Sequence, residues 1–235
     1  MSMARSLPET RHIYALQGRD VPVWLERSAR RSVGLQIRQE GLRVILPQRF
    51  PLQELDAILR QKAGWILGKL DALAERPAAT PLQAGSPLEW LGEPRSLSLG
   101  HKRAAVTADA LQLVAETTAD IPLALQKLMR REARVFLAER LDSWAARLGL
   151  RYGEFKLSSA GTRWGSCTSQ GTIRLNWRLM QAPLPVIDYV VIHELCHLVE
   201  LNHSHRFWAL VATACPDWKH KRDWLKREGA RYFAW

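Results

Sequence analysis

The 235-residue sequence has no apolar run approaching the roughly 18 residues that a membrane-spanning helix needs. Its longest candidate, residues 186–201, is interrupted by Asp188, His193, Glu194, His197 and Glu200. The opening residues, MSMARSLPETRHIY, hold no apolar h-region of the kind that directs secretion. The expectation is therefore a cytoplasmic protein with no membrane partner. Cysteine is scarce: Cys167, Cys196 and Cys215 form no CxxC pair, and an odd number of thiols argues against a disulfide framework and against a cysteine zinc knuckle. Repeats and low-complexity tracts are absent too, which excludes solenoid and fibrous architectures.

Acidic residues are outnumbered, 23 against 34 Lys and Arg, for a net charge of +11. The excess lies at the two ends: residues 1–80 carry 13 basic and 8 acidic residues, and residues 151–235 carry 12 and 7. Residues 219–231, KHKRDWLKREGAR, read as an amphipathic basic helix with Trp224 and Leu225 on its apolar side. Such a balance admits nucleic acid as a partner, although a solvated basic face is the usual meaning of such charge.

The pattern along the chain points to an α+β protein in two parts after a tail over residues 1–20. A smaller β-rich region spans 21–118, and a larger domain spans 119–235. Residues 21–46 alternate apolar and polar around Gln39-Glu40-Gly41, as a β-hairpin with outward arginines does. Leu55, Ile58, Leu59, Trp65, Ile66 and Leu70 recur at helical spacing and predict one amphipathic helix over 52–73, followed by a loop at 76–81. PLEWLG, SLSLG, AAVTA and ALQLVA, between residues 87 and 116, read as short strands of the same sheet as the hairpin. Residues 121–148 lack Gly and predict a long helix with Asp120 as N-cap and Gly149 as C-terminal stop. Strands are expected at 155–157 and 172–179, with a loop at 160–171 and a helix over 184–201.

Within that last helix lies VVIHELCHLVELNHSHRFW, residues 190–208. His193 and His197 sit four residues apart, about 40° around and roughly 6 Å along a helix, so both imidazoles can reach one tetrahedral metal ion. Glu194 points about 100° from His193, away from the metal but within reach of a water bound to it. His203 can supply a third ligand only if the helix stops early, with Asn202 suited to a left-handed turn. Glu200, His205, His220 and Glu228 are the other candidates for that place. The H-E-x-x-H-x5-H spacing is that of metzincins, but Glu200 replaces their turn glycine and no methionine follows His203.

RWGSC (163–167), IRLNWRLMQAP (173–183), VIDYVVIHELCHLVELNHSHRFW (186–208) and CPDWK (215–219) occur in this order, and together they resemble the YgjP-like metallopeptidase family, a neighbour of the SprT-like and WLM groups. The resemblance runs from near Val21 to the C-terminus. It implies a zincin-like catalytic domain, a mixed sheet with an active-site helix, in which His193, His197 and His203 hold one Zn2+ and Glu194 is the catalytic base.

The leading functional expectation is a zinc-dependent peptidase acting on a peptide or protein substrate. A nucleic-acid-associated protease of SprT-like character and a non-catalytic zinc-stabilised binding protein are the alternatives. Glu194 disfavours the last, because a closed structural site has no use for a base. Arg163, Asn176 and His205 are candidate donors to a developing oxyanion. Asp188 and Glu200 are candidate carboxylates for orienting the ligand imidazoles. Strand 172–179 is a candidate sheet edge for an extended peptide.

Overall fold

A computed structural model of the chain describes residues 10–38, 40–74 and 81–233. Two compact units make up the fold, Met1–Ala78 and Ala79–Trp235. In the first, β1 (Thr10–Leu16), β2 (Arg19–Ser28), β3 (Gly34–Arg38) and β4 (Gly41–Pro47) form a sheet in the order β1-β2-β4-β3. The expected hairpin is realised only as β3-β4; β4 returns between β2 and β3 and runs parallel to β2. Residues 10–20 are no tail, because β1 pairs along its whole length with β2. The first nine residues, Gln39 and most of the loop at 76–81 lie outside the described residues.

Alternation along β4 sends Leu42, Val44 and Leu46 inward, while Arg43 turns outward to pair with Glu26. The inward residues pack with Leu55, Leu59, Ala63 and Ile66 of two helices, α1 (Leu52–Gln61) and α2 (Ala63–Ala74). The single helix expected there is interrupted at Lys62, whose ψ opens to 5°.

The second unit begins with β5 (Pro87–Trp90), β6 (Glu93–Ser98), β7 (Ala105–Val106) and β8 (Ala110–Gln112). The four expected strands form, but in a sheet of their own, ordered β5-β6-β8-β7. Leu88, Trp90, Leu97, Leu111 and Leu113 enter the same core as the long helix α3 (Ile121–Leu148). That shared burial is why the division falls at 78/79 and not at 118/119. Asp120 does not cap α3 with its side chain: its Oδ2 accepts from the N–H and hydroxyl of Thr117, at 3.1 and 2.7 Å, closing a 3-10 turn before the helix. Gly149, at φ 65°, ends α3 in the left-handed conformation that glycine adopts without strain.

The functional half is built on a mixed sheet of β9 (Glu154–Ser158), β10 (Gly165–Cys167) and β11 (Thr172–Asn176), ordered β10-β11-β9. Two expectations change here. The segment 160–171 is not all loop, since β10 pairs antiparallel with β11. Strand β11 is central and shorter than expected, so the edges of this sheet belong to β10 and β9. Asn176 ends β11 by accepting from Arg178 N at 3.1 Å, which starts a 3-10 turn over Trp177–Gln181.

Helix α4 (Leu184–Cys196) packs against α3 and against β10 and β11, and is buried on nearly every side. Two further helices follow, α5 (His205–Ala214) and α6 (Trp218–Glu228). The architecture is α+β, with a mixed sheet against the helix that carries the histidine motif. Among the described residues no helix is long and apolar enough to cross a membrane.

Candidate metal centre

Helix α4 stops one turn short of the expected 201, and this makes the site possible. The N–H groups of Val199 and Glu200 both return to the carbonyl of Cys196, at 3.1 and 3.0 Å, and the chain then leaves the helical path. No left-handed residue is needed at Asn202: among the described residues other than glycine only Gln17 and Leu91 have positive φ. Instead Asn202 Oδ1 accepts from Ser204 N at 2.9 Å, and Ser204 caps α5 by accepting from Phe207 N at 3.3 Å. This polar turn brings His203 back over the helix end.

The ring centroids of His193, His197 and His203 lie 4.7 to 5.0 Å apart. Their ligand atoms all fall within 4.8 Å of one another, so the three can hold a metal ion. Nε2 of His193 and Nε2 of His203 are 3.1 Å apart. Two nitrogens on one tetrahedral zinc at about 2.05 Å would stand about 3.3 Å apart, so this pair is already at ligand spacing. Nδ1 of His197 is 3.0 Å from the carbonyl of Glu200, the hydrogen bond that holds a ligand imidazole with Nε2 free. Glu200 therefore acts through its backbone, not through its carboxylate.

Aromatic packing fixes the rings. Phe207, fully buried, stacks on His197 at 4.4 Å and presents its edge to His193 and His203 at 4.9 Å. Trp208 stacks on His203 at 5.6 Å. Burial is the main cause that drives the His193 pKa down to about 3, helped by the neighbouring His197 and His203. His197 is also lowered, by burial first. Both are thus neutral near pH 7, the form that binds metal.

Glu194 is 5% exposed and lies against Gly165 of β10. Its Oε2 is buried without a hydrogen-bond partner among the described residues. Burial raises its pKa to about 8, and the positive charge of Arg163 pulls the other way. A buried carboxylate oxygen left unpaired beside three convergent imidazoles fits a site built around a cation and a polar ligand.

The other candidates fall away from the cluster. Asp188 makes a bidentate pair with Arg140, at 2.8 and 2.6 Å, and braces α4 on α3. Asn176 donates to the carbonyls of Ala160 and Arg163, at 2.7 and 3.1 Å, so its amide is committed to the loop. Glu228 pairs with Arg231 at 3.7 Å. His205, His220 and Cys196 are outside the histidine cluster. Burial holds the Cys196 thiol at about 11, and burial with the charge of Glu194 does the same for Cys167.

Sequence reasoning missed Gly165, Phe207, Trp208, Tyr189 and Arg222. A Cβ on Gly165 would stand 2.5 Å from Glu194 Oε1, so this glycine is where β10 lies directly on the carboxylate. A glycine inside a strand often marks a close approach, but that signal needs the strand, and β10 does not show in the sequence. The other four carry no local signal, because they come together only in three dimensions.

A family model described as YgjP-like, metallopeptidase domain, matches residues 31–228. No curated protein matches the sequence. Among solved structures, the crystal structure of the metallopeptidase zymogen of Pyrococcus abyssi abylysin aligns at 22% identity and a TM-score of 0.36, covering 40% of this chain and 95% of that one.

Proposed function

The chain belongs to the YgjP-like metallopeptidase family, and from that premise we propose that it is a zinc-dependent peptidase in which His193, His197 and His203 hold one Zn2+ and Glu194 is the general base. The observation that carries this reading is the convergence of the three imidazoles, with the buried Glu194 lining the same cavity as His193. Three imidazole nitrogens without a sulfur donor suit zinc and leave one coordination position open. Bound there, zinc supplies Lewis acidity toward a peptide carbonyl and lowers the pKa of water to about 7.

The chain's own residues do the rest. Glu194 takes the proton of the attacking water and delivers it to the departing amine. Its carboxyl, raised by burial and already pulled down by Arg163, shifts further toward the ionised form when a divalent cation lies near. The free edge of β10 offers backbone groups to an extended substrate, which would add as a further strand above α4.

The test is a peptide-library digest by zinc-loaded wild type and Glu194→Gln, with metal content measured in both. The expected result is one zinc per chain in each and a loss of cleavage of about 10²–10⁴-fold in the variant. Equal cleavage by the two proteins, or none by either, contradicts the reading.

A further inference from the structure

Next to the metal centre a cavity of about 370 Å³ opens on the α6 side. Trp164, Tyr189, Val190 and Leu225 make its apolar walls, while His193 and Glu194 border it where it meets the metal centre. Two cations of α6, Arg222 and Lys226, also line it. A volume at the lower end of ordinary ligand pockets is enough for one or two side chains.

The arginine is pre-positioned. Its guanidinium lies over the Trp218 ring at 4.8 Å and the Trp208 ring at 5.6 Å. Those two indoles stack on each other at 4.1 Å and 15°. Since Trp208 also stacks on His203, the aromatic column that holds Arg222 rests on the metal centre itself. Arg222 Nε is buried and makes no hydrogen bond among the described residues. The nearest acid, Asp223, stands 3.6 Å from Arg222 Nε and 3.6 Å from Lys226 Nζ, too far to satisfy either by a hydrogen bond. Two cations against one half-exposed acid leave the α6 side of the cavity positive. Glu194, the other acid at the cavity, belongs to the metal centre.

An apolar channel that leads from a hydrolytic centre to an oriented guanidinium matches a short aliphatic stem ending in a carboxylate. We propose that this cavity is a carboxylate-selecting subsite, in which Arg222, assisted by Lys226, receives an anionic end of the substrate next to the scissile bond. The carboxylate is either a Glu or Asp side chain or the free C-terminus of a peptide. The subsite deepens the peptidase reading and rests on it only for the cleavage arm of the test.

That arm compares matched peptides carrying Glu or Gln at each position near the cleaved bond, each with a free and an amidated C-terminus. Zinc-loaded wild type should prefer the carboxylate form at least tenfold in kcat/KM. A preference that survives amidation identifies the side chain, and one abolished by amidation identifies the C-terminus. Arg222→Gln should bring the ratio to near one, and Lys226→Gln should reduce it two- to threefold.

A binding arm needs no turnover: two acid and amide pairs, N-acetylglutamate α-amide beside its glutamine counterpart and N-acetylalanine beside its amide, are titrated while the indole N–H resonances are followed by NMR, and the pair in which the acid binds more tightly identifies the source. The acid should bind at least tenfold more tightly than the amide, and Arg222→Gln should erase the difference with zinc content and indole dispersion unchanged. If Arg222→Gln does not fold, Lys226→Gln and Arg222→Lys carry the test by graded losses. Equal binding of acid and amide by wild type, or an acid preference that survives Arg222→Gln, overturns the subsite even where peptides are cleaved. Selective binding without any cleavage overturns the peptidase reading and leaves the subsite standing.

Discussion

Replacing Gly165 by alanine adds one methyl group at the point where β10 meets Glu194. The new Cβ would lie 2.5 Å from Glu194 Oε1, 2.6 Å from its Cγ and 2.7 Å from its Cδ. Non-bonded carbons rest at about 3.5–4.0 Å, so the carboxylate must withdraw by about 1 Å. The strand cannot yield as easily, because Gly165 sits in register with Leu175 of the central strand. Glu194 is 5% exposed, and the space open to its displaced carboxylate is the cavity that it borders with His193. The backbone itself is not strained, since Gly165 is not among the residues with positive φ. A 1 Å displacement of a catalytic group is worth on the order of 10²-fold in rate, or about 2.7 kcal/mol in the barrier. The assay is kcat/KM on the best peptide of a library, with zinc content and melting temperature measured alongside. Gly165→Ala should lose about 10²-fold with one zinc retained, and adding it to Glu194→Gln should cost little more, because both act through one carboxylate. Wild-type kcat/KM in Gly165→Ala, or full additivity in the double variant, would refute the placement of Glu194 as base beneath this glycine.

Four further outcomes are expected. In metal-free protein, Glu194 has its pKa raised from 4.5 to about 8, so its contribution to stability is full below 4.5 and lost as pH rises through 8. Thermal melts of metal-free wild type and Glu194→Gln should therefore diverge with rising pH, the variant gaining up to about 5 kcal/mol above pH 8. His193 works in the opposite sense: its pKa is lowered to about 3, so its contribution is full above 6.5 and lost as pH falls through 3, a loss that His193→Gln should lack in the same melts. Phe207→Ala removes a fully buried ring that touches all three histidines, and should cost about 3–5 kcal/mol by denaturant titration together with weaker zinc retention against a chelator. Arg140→Met leaves Asp188, whose side chain is 16% exposed, without its bidentate partner, and should destabilise by about 3 kcal/mol without changing zinc stoichiometry.

The parts of this fold that could be read from sequence are those set by local periodicity. Helix α3 and its glycine stop, the four short strands at 87–112 and the α4 helix with its histidines all follow from spacing within one element. Side-chain chemistry that depends on a turn was harder to read. The third histidine arrives through an Asn202–Ser204 turn and the return of two N–H groups to Cys196, where the sequence suggests a left-handed turn at Asn202. Strand β10 was hidden because three residues in a Gly- and Ser-rich segment carry no alternation of their own, and their extended form comes from pairing with β11. Lys62 interrupts a helical pattern whose apolar residues continue in phase on both sides, so periodicity could not show the break. The association of strands 87–112 with α3 was decided by tertiary burial, which alternation reports only as an inward face and not as a partner.

The most direct measurement is zinc K-edge X-ray absorption on the zinc-loaded protein, wild type beside His203→Ala. The three-histidine centre predicts one zinc with three imidazole nitrogens and one further oxygen in wild type, and the loss of one imidazole in the variant. A sulfur neighbour, or an unchanged imidazole count in His203→Ala, would contradict it.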